Sequence, residues 1–279
     1  MHSRPFFGEE LTTQGYGVRG DVLQGHLDYS RSWEHSSVVF RAGMLSSAFG
    51  SFLLRYDDMA NPLIDYPLSY GYYYKSVTTE SLAGVQVDAT EGRFDVRAQI
   101  TNSSPYSRIG LLGSGQAANW TAGAGYTIRQ GLRVGVSAFR GPYSYPGDPG
   151  VADFHWMAAG LGADVSWGIG HWNFQGEEQR FQGPHGTTIP PYTRESGYAE
   201  ARRTLGPRWY AAGRVGYQRG NIYLSRDVYE AAVGFRPNAS QLVKLGYEIQ
   251  QGPFIRGSLA NVLTVQLVTT LRPITFAGK

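Results

Sequence analysis

The chain has 279 residues, a net charge of +3, 17% charged residues and no cysteine, which gives no case for a nucleic-acid partner, a disulfide framework or a thiolate metal site. Its mean hydropathy is -0.30, and no apolar run reaches the roughly 18 residues that a membrane-spanning helix needs. The 37 Gly, 19 Tyr and 6 Trp fit a different membrane architecture, in which small residues suit curved strands and aromatic rings sit where lipid meets water.

The first residues, Met1 to Glu10, lack the basic stretch and apolar core of a signal peptide. Residues 1–21 show no clean apolar face and read as an N-terminal segment, irregular or a poor strand, whereas 22–279 reads as one domain with no linker inside it. From residue 22 onward the chain repeats one unit: a run of alternating apolar and polar residues, a very short turn, a second such run and a long loop. The stretch Arg93 to Thr101 states the period, with Phe94, Val96, Ala98 and Ile100 on one face and Arg93, Asp95, Arg97, Gln99 and Thr101 on the other. Such a strand meets hydrocarbon on one side and water on the other. The expected fold is all-β, an antiparallel up-and-down transmembrane β-barrel with lipid outside and a wet lumen inside.

In chain order the strands are expected near 22–30, 37–45, 81–90, 93–102, 117–128, 132–140, 157–167, 172–181, 194–205, 209–218, 227–236, 242–250 and 261–272, about thirteen in all. Short and long connections alternate, and the short ones carry turn chemistry: Glu91-Gly92 reads as a two-residue hairpin and Arg129-Gln130-Gly131 as a three-residue turn. This register sets Gln86 opposite Arg97, Ile128 opposite Leu132 and, across the turn at 206–208, Glu200 opposite Arg214. The first and last of these strands run in the same direction, and an antiparallel barrel needs an even number. The expectation is therefore a truncated product whose intact form has 14 or 16 strands.

With the faces assigned, Arg41, Gln86, Asp88, Arg93, Asp95, Arg97, Arg133, Asp164, Glu177, Glu200, Arg202, Arg214, Glu230, Lys244 and Glu248 are expected to line the pore, and His26 projects inward beside Asp28. Both signs are present. The lattice either neutralises itself and braces the wall, or leaves some arginines unpaired to attract anions at the constriction. Only three of the cations are lysine (Lys75, Lys244 and Lys279), and arginine dominance suits oxyanion contact as well as it fits codon bias.

The loop 46–80 exceeds what a connection needs and concentrates Tyr66, Tyr70, Tyr72, Tyr73 and Tyr74. We expect it to fold into the lumen as a constriction, with Leu53, Leu54, Leu63 and Ile64 as anchors, rather than cap the outside. Trp120, Trp167, Trp172 and Trp209 fall on the apolar face near strand ends, as a membrane girdle. The histidines are scattered, no serine sits in a nucleophile elbow and no zinc-ligand spacing appears, so neither enzyme activity nor a metal or other cofactor is expected.

The segment Val39 to Gly50, with Arg41-Ala42-Gly43 leading to Phe49-Gly50, followed by Asn61-Pro62 in the long loop, resembles the phosphate-selective porin O and P family. The runs Trp209 to Arg214 and Leu242 to Tyr247 look like that family's C-terminal strands. The resemblance covers most of 22–272. It implies a bacterial outer-membrane porin of a Gram-negative cell, seated in outer-membrane lipid as a homotrimer. It further implies passive diffusion of small hydrophilic solutes, phosphate-like oxyanions included, and the placement of Arg41, Arg93 and Arg97 on the wall beside the root of the 46–80 loop leads us to expect weak anion selectivity. The runner-up is a non-conducting outer-membrane barrel with a structural or docking role, if the 46–80 loop plugs the lumen.

Overall fold

The computed structural model describes residues 2–12, 15–52, 59–70, 82–102, 118–142, 157–183, 193–220, 225–252 and 261–270, with backbone alone up to residue 23. Among these are fourteen strands: β1 His2–Thr12, β2 Gly15–Ser32, β3 Ser36–Leu45, β4 Leu82–Glu91, β5 Phe94–Thr101, β6 Asn119–Arg129, β7 Leu132–Pro142, β8 Met157–Ile169, β9 Trp172–Gln182, β10 Thr193–Thr204, β11 Trp209–Gly220, β12 Arg226–Asn238, β13 Gln241–Gln251 and β14 Asn261–Thr269. They form one sheet in strict chain order, every neighbouring pair antiparallel.

Residues 2–12 and 15–21, which lack a clean apolar face, nonetheless belong to β1 and β2, paired from His2↔His26 to Thr12↔Gly15. A ladder needs only main-chain donors and acceptors, so the pairing that begins at Thr12↔Gly15 and the continuation of β2 into a well-patterned strand carry a segment whose own side chains do not announce it. The described count is thus even, one more than the side-chain period displays.

The sheet is inverted relative to a soluble domain. Its outer face exposes Leu27, Phe40, Val85, Val96, Ile100, Val136, Leu161, Val233, Leu245, Leu263 and Leu267, while Gln99, Thr121, Asp164, Glu177, Glu200, Arg214 and Lys244 are buried on the inner face. Burying that many polar groups is tolerable only if they pair with one another, and leaving that much hydrocarbon exposed is tolerable only in lipid.

Three of the short turns place glycine in the left-handed region, Gly92 (φ 56°), Gly131 (φ 82°) and Gly170 (φ 56°). The first turn departs from the expected register: Gly92-Arg93 is the two-residue loop, closed by Glu91↔Phe94, so Gln86 faces Gln99 and Asp88 faces Arg97. Glycine here stands at the first loop position of the hairpin rather than the second. A shift of two residues keeps every side chain on its face. At the next turn a bulge between Thr127 and Arg129 pairs Arg129, not Ile128, with Leu132. Glu200↔Arg214 is as expected.

Candidate pore lining and the strap across it

The chain leaves β3 at Leu45, and its described stretches 46–52 and 59–70 lie as a strap against the inner face of the sheet. Its backbone is read by side chains of the wall. The Ala48 N–H donates to Gln99 Oε1 (3.1 Å) while Gln99 Nε2 donates to the Ser46 carbonyl (2.7 Å). Gly50 N–H donates to Ser137 Oγ (3.0 Å), and both Ser51 N–H and Ser51 Oγ donate to Glu177 (3.2 Å each). Farther along, Arg236 holds the Met59 carbonyl (2.9 Å), Lys244 Nζ the Leu63 carbonyl (2.9 Å), Arg214 the Asp65 carbonyl (2.9 Å) and Arg194 the Ser69 carbonyl (3.3 Å). One segment therefore touches β5, β7, β9, β10, β11, β12 and β13, so the sheet is curled around it.

Two aromatic clusters add dispersion to these bonds. Phe49 sits edge-on to Phe139 (5.1 Å) and Phe181 (5.4 Å), and Phe52 meets Tyr66 (5.5 Å), Tyr70 (5.5 Å) and Tyr198 (6.0 Å). Phe49, Phe52 and Tyr70 are at most 1% exposed, so the strap is packed as tightly as a core. Tyr70 donates its hydroxyl to Glu177. Burial first, and the adjoining Glu177 charge second, hold the Tyr70 phenol well above its ordinary value, which keeps it a donor. Gly50 has φ +77°, and a Cβ there would collide with the Tyr70 hydroxyl and the Glu177 carboxylate, so only glycine lets the strap lie this close. Leu63 is buried and Ile64 approaches Gly246; Leu53, Leu54, Tyr72, Tyr73 and Tyr74 lie outside the described residues.

The charges expected on the inner wall form paired groups. Arg133 grips Asp95 through two nitrogens (2.5 and 2.7 Å) and Asp164 through a third (2.7 Å), with Arg97 at 4.0 Å from Asp164. Arg214 bonds Glu200 (2.9 and 3.0 Å), Glu230 (3.2 Å) and Asn61 Oδ1 (3.2 Å), and lies over Phe52 (5.4 Å) and Tyr198 (5.7 Å). Arg41 pairs with Asp88 and stands 3.6 Å from Asp28, which His26 approaches at 3.2 Å. Gln86 donates to Asp88 (2.9 Å) and accepts from Gln99 (2.9 Å), and Gln250 donates to Glu248.

Two residues depart from the expected pattern. Arg93 occupies the hairpin loop, exposed, with one bond to the Ile128 carbonyl (3.5 Å), so it is at the turn end and not beside Arg97 at the root of the strap. Arg202 has no ion pair among the described residues; it lies over the Tyr210 ring (4.5 Å). With Arg236, Asn173, Gln175, Thr204, Met59 and Ala60, it lines a cavity of about 950 Å³ at the short-turn end, whose described lining contains no carboxylate. Arg194 and Arg236 are strap anchors that the sequence reading passed over. Their numbers share the parity of Glu200 and Glu230 on the same strands, a signal that would have placed both on the inner face.

On the outside, Trp120 and Trp209 are exposed, Trp172 stacks on Phe174 (5.6 Å, 11°), Trp167 touches the same ring (5.6 Å), and Trp209 meets Phe235 (4.4 Å). With Phe94 and Tyr126 (4.8 Å apart), most of these rings gather at the short-turn ends of the strands, and Trp120 at the opposite end.

Comparison with solved structures decides the architecture. A structure described as porin refined at 1.8 Å superposes with a TM-score of 0.56 at 10% identity, over 95% of this chain and 97% of that one. The fold is that of a porin-type β-barrel. A loop-deletion form of OmpT, an outer membrane protein of Vibrio cholerae, matches with a TM-score of 0.55 at 13% identity, over 96% of this chain and 84% of that one. A trimer form of the same protein matches at 0.51 with 10% identity, over 95% and 91%. No protein-family model and no curated protein sequence matches the chain.

Proposed function

We propose that this chain is a porin of a bacterial outer membrane, passing small hydrophilic solutes by passive diffusion through a lumen that the strap narrows. The observation that carries the reading is the inverted sheet: hydrocarbon outside, and inside a wall of charges crossed by a segment held mostly through its backbone carbonyls and amides. Water and fixed charges along a constriction favour small polar solutes over apolar ones.

The same reading includes weak anion selectivity, with phosphate-like oxyanions among the solutes, as the resemblance to the phosphate-selective porin O and P family suggests. Arg202 and Arg236 in a cavity without a described carboxylate support that sign, since guanidinium stays charged and binds oxyanions through paired N–H groups. We further propose a homotrimer, because one similar structure is of a trimer form, and no catalytic activity. Reconstituted in a planar bilayer under a salt gradient, the protein should carry current with a reversal potential of weakly anion-selective sign, and Arg202→Gln should move it toward cations. A cation-selective wild type removes the selectivity, and a folded protein without current removes the channel.

A second reading, a non-conducting barrel with a structural or docking role, is favoured by one observation. The strap anchors are almost fully enclosed, Lys244 and Arg194 at 0% exposure, as a permanent plug would be.

A further inference from the structure

We infer that solutes pass between the strap and the β2–β4 wall, where Asp28, Arg41 and Asp88 are the side chains they meet. The inference rests on the diffusion reading above and assigns the path within it. The inward charges differ in exposure, and Asp95, near the turn end of β5, is 32% exposed. Those beneath the strap are closed off: the side chains of Arg214 and Glu200 are each 1% exposed and that of Asp164 is 2%. Those on β2–β4 are open: Asp28 is 41% exposed, Arg41 31% and Asp88 26%.

The strap explains the difference. Its polar bonds reach β5, β7 and β9–β13, and at the rim on the β2 side Gln24 donates to Ser46 Oγ. A cylinder crossed by a strap fastened along one side stays open along the other. The open wall is polar and charged: Arg41 sits between Asp88 and Asp28, and His26 stands 3.2 Å from Asp28. Two carboxylates against one guanidinium favour cations locally, whereas the arginine-lined cavity at the short-turn end favours anions. Their opposition leaves the net preference weak and sensitive to single charges.

Because the chain has no cysteine, single cysteines can be read without background. In bilayers, a cationic membrane-impermeant thiol reagent should cause a stepwise loss of conductance in Asp28→Cys and Asp88→Cys, and none in Thr121→Cys, which is equally inward but 1% exposed. As a second measurement that does not depend on labelling, Arg41→Ser should shift the reversal potential toward cations, and Asp28→Asn with Asp88→Asn toward anions. A conducting wild type in which positions 28 and 88 are inert, or no more sensitive than 121, overturns the path alone. A folded wild type without current overturns the diffusion reading and the path with it.

Discussion

Arg214 and Asp65 are 149 residues apart in the chain, and the guanidinium Nη1 of the first donates to the main-chain carbonyl of the second at 2.9 Å. This contact joins the middle of the strap to β11. The same guanidinium pairs with both Glu200 and Glu230, so fastening the strap and holding the wall's carboxylates depend on one side chain.

Arg214→Ala should therefore do more than free the strap. It strands Glu200, 4% exposed, and Glu230, whose side chain is 8% exposed, and removing one member of a buried charge group costs about 3 to 5 kcal/mol. Urea unfolding of the barrel in vesicles should show that loss. Adding Glu200→Gln and Glu230→Gln should recover a large part of it, and no recovery would mean that the strap contact, not the charge balance, carries the energy.

Gly50→Ala tests the strap without removing a charge. The positive φ and the collision with Tyr70 and Glu177 should push the strap off β9, at a cost on the order of 1 to 3 kcal/mol for overpacking and strain. Protease cleavage within 46–80 should become faster while the strands stay protected. Unchanged cleavage would show that the strap does not depend on this close approach.

Much of this architecture is legible in the sequence, and the reasons differ by element. Alternation with period two assigns Val96 and Arg97 to opposite faces whatever the register, so the two-residue shift at the Gly92 turn leaves those faces as they were. Arg93 is the exception because a turn residue has no face. The path of the strap is not legible, since Lys244 holding the Leu63 carbonyl (2.9 Å) is a contact between distant segments that no local pattern encodes. Nor is the pairing of β1, which rests on main-chain groups common to every sequence.

The two faces make opposite demands on adjacent residues. Val96 is half exposed on the outer face, and Val96→Arg should cost about 2 to 4 kcal/mol if it lies near the bilayer midplane. Arg97→Ala should leave insertion nearly intact, because Asp164 keeps Arg133 at 2.7 Å. Equal losses in a folding assay would mean that the faces are exchanged.

Orientation is testable in whole cells. Cysteines at Gly92 or Gly131, in the short turns, should be shielded from an impermeant thiol label, whereas cysteines at Gly110, Asp148 or Gly186, in the long connections, should react. The asymmetry of short inner turns and long outer loops is a regular property of such barrels, and labelling of the turns from outside would reverse the orientation.

The central claim is an open, water-filled route past a fastened strap, and solute flux through proteoliposomes tests it most directly. Vesicles carrying the folded wild type should swell in isotonic solutions of small sugars and ions, and progressively less as solute size rises. Gly50→Ala should raise the rate for the larger solutes. Vesicles that contain folded barrel yet swell no faster than protein-free lipid, for every solute, would contradict the account and leave a plugged barrel.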